Sequence, residues 1–242
     1  MKTAVVVPSR YDSSRFPGKL LAIIKGKPLI EYTVEQVKKC KKVDYIAVAT
    51  DDKRIYDFVI KSLKVDVFMT PKICKSGTDR IAFVASKFLK RFEIFINVQG
   101  DEPLIDPALI DEIIKLLKKD STVEYITAAF PIKDVNLINN PNIVKVVFDK
   151  DMYALYFSRF SIPFNRDGLK VKHYKHMGIY GYKRKFLLYL SKIKRSLLER
   201  IENLEQLRAL ENGKKIKIIV SKKDSVGVDT PKDIAKVEKY LQ

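Results

Sequence analysis

The stretch Ala4-Val5-Val6-Val7-Pro8-Ser9-Arg10-Tyr11-Asp12-Ser13-Ser14-Arg15-Phe16-Pro17-Gly18-Lys19 decides how the rest of the chain is read. It opens on apolar residues without alternation, the pattern of a strand buried on both faces. Such strands belong to parallel sheets covered by helices on each side. The run stops at Pro8 and a charged turn, so the residues that follow sit at the carboxyl end of the strand. Further apolar runs at 45–49, 65–69, 95–98, 125–130 and 144–148 repeat the pattern, and amphipathic spacing predicts helices over 29–41, 53–63, 79–92 and 107–119. The expected class is therefore α/β, with a mostly parallel central sheet, helices on both faces, and a Rossmann-like site at the strand ends.

The later part reads differently. Residues 153–163 and 176–182 look strand-like, Leu190, Ile193, Leu197, Leu198 and Ile201 follow helical spacing, 215–220 is another strand, and 231–241 a closing helix with Pro231 at its start. We read 1–242 as one domain, within which 150–212 is a smaller mixed subregion that could supply a lid, a dimer interface, or both. No internal repeat or low-complexity segment interrupts it.

Composition narrows the function classes. Hydrophobic residues make up 46% of the 242, enough for a large core. No apolar run approaches the roughly 18 residues of a membrane span, and the apolar start is too short for a signal peptide, so a cytoplasmic protein is expected. Cys40 and Cys74 form no C-x-x-C pair, which argues against a disulfide framework and a thiolate zinc site. Lys and Arg number 47 against 29 Asp and Glu, a net charge of +18 that invites a nucleic-acid partner. The basic residues are interleaved with acids in nearly every segment, however, and no nucleic-acid module is present. A basic surface that attracts small polyanions, without nucleic acid as a partner, is the expectation.

Unusual residues cluster where strands end: Pro8-Ser9-Arg10 after the first, Thr50-Asp51-Asp52 after the second, Gln99-Gly100-Asp101-Glu102-Pro103 after the fourth. Arg10, Arg15 and Lys19, interleaved with small residues and a Pro-Gly turn, can present cations and backbone N–H groups to a triphosphate. The loop is not a Walker A sequence and holds no G-x-G-x-x-G. Asp101, just past a buried strand and a glycine, is placed to hold a hard cation such as magnesium. An N-cap role for Asp101 or Glu102 at the following helix is the alternative. Thr230 caps a helix that begins at Pro231, which leaves Asp229 without a local role. Ser76-Gly77-Thr78-Asp79-Arg80 reads either as a helix start capped by Thr78 or Asp79 or as a ligand contact. His173 and His176 stand at i, i+3, but on an extended segment with no third ligand near, so a zinc site is not expected. Leu204, Leu207 and Leu210 pack inward by periodicity, on which Glu205, Gln206 and Arg208 could simply be solvated.

These strings, taken together and in order, resemble the CMP-Kdo synthetases, a family of sugar nucleotidylyltransferases. Val7-Pro8-Ser9-Arg10-Tyr11 with Ser13-Ser14-Arg15-Phe16-Pro17-Gly18-Lys19 is similar to their opening signature. Ser9 replaces the usual Ala, and Leu20-Leu21 the usual Pro-Leu. Asn97-Val98-Gln99-Gly100-Asp101-Glu102-Pro103, Ser76 to Arg80, His176-Met177-Gly178-Ile179-Tyr180 and Glu205-Gln206-Leu207-Arg208 resemble later family segments. The resemblance implies attack by the anomeric hydroxyl of Kdo on the α-phosphorus of CTP, with loss of pyrophosphate, as a step in lipopolysaccharide precursor supply. It implies Mg2+ held by Asp101 and Asp229, and Arg10, Lys19, Asp101 and Asp229 as the catalytic set. Pro8, Ser9, Arg10, Arg15, Lys19, Thr50, Ser76, Gly77, Arg80 and Gln99 would line the nucleotide site. Gln99, Arg159, His176, Tyr180, Glu205 and Gln206 would face the sugar, with Arg159 as a candidate for its carboxylate or, equally, a strand arginine turned to solvent. A homodimer is implied as well. The rival readings are another sugar or polyol-phosphate nucleotidylyltransferase, and a non-catalytic nucleotide-binding or basic nucleic-acid-binding protein.

Overall fold

The structure is a computed structural model, and it describes residues 1–13, 15–74 and 76–241. Ser14, quoted above, lies outside the described residues, as do Lys75 and Gln242. The strands are β1 Thr3–Ser9, β2 Ile23–Ile24, β3 Lys27–Pro28, β4 Tyr45–Thr50, β5 Asp66–Met69, β6 Ile94–Val98, β7 Tyr125–Pro131, β8 Lys145–Phe148, β9 Ala154–Ser158, β10 Tyr174–Lys183 and β11 Lys217–Val220. The helices are α1 Leu29–Lys38, α2 Lys53–Phe58, α3 Gly77–Lys87, α4 Pro107–Lys119, α5 Arg184–Leu190, α6 Leu197–Glu202, α7 Leu207–Glu211 and α8 Pro231–Glu238.

The main sheet runs β11-β7-β10-β6-β1-β4-β5, with β8 and β9 added beside β10. β1 pairs in parallel with β4 on one side and with β6 on the other, so the strand order reverses at β1. Loops that leave the carboxyl ends of β1 and β6 flank that crevice, where ligands bind in open α/β sheets. One long strand breaks the parallel pattern: β10 runs antiparallel to both β6 and β7. Its residues read as a strand in the sequence, but orientation depends on the connection and not on apolar content.

Burial on both faces is visible residue by residue. Val5 and Val7 enter one core with Ile30, Val34, Ile110 and Ile113 of α1 and α4. Ala4 and Val6 enter the other with Ile81, Val84, Phe186 and Leu187 of α3 and α5. Each fully buried Val or Ile side chain contributes about 1.5–3 kcal/mol relative to exposure. Helix α4 lies so close to β10 that a Cβ on Gly181 would stand 2.4 Å from Ile113 Cγ2.

Some helix boundaries differ from the sequence reading. The span 53–63 is α2 followed by a wider π turn over Val59–Leu63, which ends at Lys64 with φ 50°. The helical spacing from Leu190 to Ile201 is two helices, because Ser196 and Glu199 form a capping box that starts α6 afresh. Leu197 and Ile201 are consequently exposed, at 58% and 70%, and not core residues. Among the described residues, no helix is long and apolar enough to cross a membrane.

Candidate active site

The loop after β1 folds back on itself before it reaches the site. Gly18 donates its N–H to the Tyr11 carbonyl at 2.9 Å and adopts φ +70°, where a Cβ would come within 2.9 Å of the Tyr11 ring. The face of Tyr11 is covered by Arg54, whose guanidinium lies 3.2 Å from the ring centroid. Leu20 is buried beneath the loop. This anchorage aims Lys19 inward, where it is 12% exposed.

Lys19 Nζ forms an ion pair with Asp101 Oδ2, donates to the Val228 carbonyl at 3.0 Å, and lies 3.6 Å from Asp229 Oδ1. Arg15 Nη2 reaches the same Asp229 oxygen at 3.1 Å. Two aspartates remote in the chain therefore converge on one loop ammonium, with the Arg15 guanidinium beside it. Arg10, Ser76, Gly77, Asp79, Glu205 and Arg208 contribute to an adjoining recess of about 440 Å³.

Each aspartate is placed by its surroundings. The N-cap of α4 is Asp106, which accepts the Ala108 N–H at 3.2 Å, so neither Asp101 nor Glu102 serves that end. Thr33 of α1 donates to the Gly100 carbonyl at 2.9 Å and holds the turn that presents Asp101. Asp229 precedes the Thr230 cap. Asp233 accepts from the N–H and the hydroxyl of Thr230, each at 2.9 Å, and from the Asp229 N–H at 3.3 Å. Burial opposes ionisation of Asp233, but hydrogen bonds from Lys236 and Thr230 hold its carboxyl down at about 2. Among the described residues, no three His, Cys, Asp or Glu side chains are grouped to hold a metal. Two carboxylates that share one cation suit a hard ion that completes its shell with phosphate oxygens and water.

The remaining predicted residues fall into three groups. Beside the recess, a helix does start here, but its cap is Ser76 and not Thr78 or Asp79: Thr78 lies within α3, and Asp79 completes the capping box from the first turn. Gly77 packs over Gln99, Asn97 and Pro8: a Cβ there would come within 3.1 Å of Gln99 Nε2. Gln99 Nε2 in turn donates to Asn97 Oδ1 at 3.1 Å.

On the other side, β10 brings His176 and Tyr180 to the sheet surface. His176 Nε2 is 2.8 Å from Thr127 Oγ1, and its ring packs on Phe157 and Tyr180. Burial lowers its pKa to about 3, so the imidazole is neutral at ordinary pH. Tyr180 Oη donates to Gln206 Oε1 at 3.4 Å. Gln206 and Arg208 are buried, so the reading of them as solvated is corrected. Arg208 is held in the interior by two 2.7 Å bonds to Glu199, a partner that only the fold supplies. Burial pushes Glu205 up to about 7, and its Oε1 has no hydrogen-bond partner, as is true of Gln206 Nε2 and Asn97 Nδ2. Buried polar atoms without partners are rare and mark places where a ligand or water completes the network.

The third group is engaged in contacts within the fold. Arg80 is fully buried, with Nη2 on Asp51 Oδ2 at 2.8 Å and Nη1 on Thr70 Oγ1, so it clips α3 to the ends of β4 and β5. Thr50 is fully buried too, and its carbonyl accepts from the N–H of Thr70. Arg159 donates to the carbonyls of Glu202 at 2.7 Å and Pro141 at 3.0 Å. A larger recess of about 490 Å³, lined by Lys41, Lys42, Lys115, Lys118 and Lys119, lies by the amino-terminal end of β4, remote from these loops. It carries no carboxylate pair facing a cation cluster.

The sequence model of the cytidylyltransferase family, described as "Cytidylyltransferase", matches residues 4–216. The chain belongs to that family. This cytidylyltransferase is 48% identical over 243 residues to a 3-deoxy-manno-octulosonate cytidylyltransferase of Desulfosudis oleivorans, covering 100% of this chain and 98% of the relative. It is equally 48% identical to an 8-amino-3,8-dideoxy-manno-octulosonate cytidylyltransferase of Shewanella frigidimarina, over 100% and 99%. A solved CMP:2-keto-3-deoxy-manno-octonic acid synthetase in complex with CTP superimposes with a TM-score of 0.93 at 37% identity, covering 99% of this chain and 98% of that one.

Two features of this cytidylyltransferase escaped the reading of its sequence. Local sequence offers Glu102 only as a helix cap, yet burial and the neighbouring Asp101 charge raise its pKa to about 7. Lys175, which ion-pairs with Asp224 and reaches the Ser225 carbonyl at 3.3 Å, carried no signal among so many lysines.

Proposed function

We propose that this chain joins CMP to the anomeric hydroxyl of Kdo, or of a close eight-carbon analogue, with CTP as donor and pyrophosphate as the leaving group. The observation that carries the reading is the meeting of Asp101 and Asp229 at Lys19, beside Arg15 and at the β1–β6 crevice.

The hydroxyl oxygen forms the new bond to the α-phosphorus, the bond from that phosphorus to the bridging oxygen breaks, and the hydroxyl proton is lost to solvent. Little covalent work falls to the protein, so positioning and charge neutralisation dominate. Arg10, Arg15 and Lys19 bind the triphosphate and offset the charge that builds on the departing pyrophosphate. Asp101 and Asp229 would hold magnesium, which when bound polarises phosphate and sugar oxygens. Gln99, Gln206 and the neutral His176 present donors and acceptors to sugar hydroxyls, and the unpartnered atoms of Glu205, Gln206 and Asn97 supply further ones.

The subregion 150–212 exposes Leu155, Phe160, Phe164, Leu169, Leu197 and Ile201, the last at 70%. An apolar set of this kind supports a homodimer built on that region. Light scattering after size exclusion gives twice the chain mass if this holds and one chain mass if it does not. A CTP-consuming synthetase with these properties works in the cytoplasm.

Pyrophosphate release is the deciding assay. The purified protein is given CTP, UTP, ATP or GTP with magnesium and either Kdo or its 8-amino analogue. Turnover with CTP and one of the two acids is expected. Absence of turnover with both overturns the reading, and the faster acid identifies the substrate.

A further inference from the structure

The residues 221–230 connect β11 to α8 without regular secondary structure, yet they deliver Asp229 to the site. Few contacts hold this strap. Ser221 N–H bonds to the Ala129 carbonyl at 2.8 Å, Lys175 holds Asp224 and the Ser225 carbonyl, and the Val228 N–H bonds to the Asp101 carbonyl at 2.9 Å. Lys19 donates to the Val228 carbonyl at 3.0 Å, Val228 itself is buried, and the Asp229 N–H bonds to Asp233 at 3.3 Å. Between Ser221 and Val228 a further anchor is Glu102. Its Oε2 accepts the Ser225 hydroxyl, and its Oε1 lies under Gly227, where a Cβ would stand 3.0 Å away. Glu102 Oε1 also approaches Gly178 of β10, whose Cβ would be 4.0 Å distant. The side chain is thus wedged between the strap and the strand that carries His176 and Tyr180.

The backbone of Asp229 is fixed by Asp233 and by Val228, but its side chain is exposed. Its side chain is 52% exposed, among the described residues its carboxylate ion-pairs only with Arg15 and Lys19, and both are cations that a triphosphate would attract. Once those cations turn to the nucleotide, the Asp229 carboxylate loses both ion pairs and its position rests on the strap beneath it.

We propose that Glu102 is a positioning residue: through its hydrogen bond to Ser225 and its packing against Gly227 it keeps Asp229 in register with Asp101 when the loop cations turn to CTP. The proposal rests on the reading of Asp101 and Asp229 as the pair that holds a divalent ion. Residues that orient metal-binding carboxylates typically change metal affinity about 10–100-fold when removed.

The test uses Mn2+ as a spectroscopic probe, with its binding to the CTP complex titrated by electron paramagnetic resonance. Glu102→Ala is expected to weaken Mn2+ binding about tenfold or more and to lower kcat, with the KM for CTP within about twofold. Glu102→Gln retains an oxygen acceptor for Ser225 and should recover most of the Mn2+ affinity. Ser225→Ala, a change on the strap itself, should weaken Mn2+ binding in the same direction, and the double variant should be no worse than Glu102→Ala alone. Unchanged Mn2+ affinity in Glu102→Ala, or in Ser225→Ala should the first variant not fold, overturns the proposal. Failure of Glu102→Gln to rescue also overturns it, since charge and not the hydrogen bond would then matter. If wild type releases pyrophosphate from CTP and the variants bind Mn2+ normally, only this proposal falls. A wild type without cytidylyl transfer whose Mn2+ binding still depends on Glu102 removes the functional reading and leaves the positioning role standing.

Discussion

Lys19 and Asp101, one from the loop after β1 and the other from the loop after β6, form an ion pair whose ammonium also lies 3.6 Å from Asp229. Lys19 therefore occupies the ground between two carboxylates that are read as the seat of a divalent ion. A cation already in that place competes with a metal until a triphosphate draws the lysine away.

Lys19→Met should thus have opposite effects on two ligands. In nucleotide-free protein it is expected to raise Mn2+ affinity several-fold, because the carboxylates lose their internal counter-charge. In steady-state assays it should raise the KM for CTP by about tenfold, the loss of one charge-assisted contact of roughly 1.4 kcal/mol. Equal Mn2+ affinity with and without the lysine contradicts the competition.

Asp101→Asn is nearly isosteric and leaves the α4 cap untouched, since Asp106 fills that role. Turnover should fall by about a hundredfold or more, with the midpoint of thermal unfolding within a few degrees of wild type. A variant that keeps most of its turnover at saturating magnesium removes Asp101 from the catalytic set.

Arg80→Met separates a structural from a nucleotide-binding role. The guanidinium is fully buried against Asp51, which is 17% exposed, and removal of one partner of a buried pair costs about 3–5 kcal/mol. Denaturant unfolding should show a loss of that order, while the KM for CTP of the folded protein changes little. A large rise in KM with unchanged stability would instead place Arg80 on the nucleotide.

His176 predicts an acid limb in stability. Its folded pKa is lowered to about 3 by burial, below the ordinary histidine value of 6.5, so the unfolded chain takes up the proton first. The unfolded state binds more protons between these values, so stability falls as pH drops from about 6.5 towards 3 and is unaffected by this group above 6.5. His176→Gln should flatten the melting temperature against pH over that window. An identical slope in the two proteins shows that the imidazole does not titrate as its burial dictates.

Much of the architecture is legible in the sequence. The unbroken apolar run in β1 announced a strand covered twice, and Val5 and Val6 do enter opposite cores. The cations after β1 and the acid after β6 stood out because they follow buried strands directly. The interruption at Ser196 and the antiparallel course of β10 were missed, because apolar spacing is blind to a restarted cap and to strand direction.

Local pattern thus set the elements, the layered class and the list of chemically equipped loops, all of which depend on neighbours a few residues apart. The tertiary structure decided which of those groups meet. Asp229 reaches Asp101 through a strap with no periodicity to read, Arg208 is buried because Glu199 stands opposite, and Arg80 is turned inward by Asp51. Such pairings depend on distance in space between residues remote in the chain, and periodicity, which compares only near neighbours, carries no record of that distance.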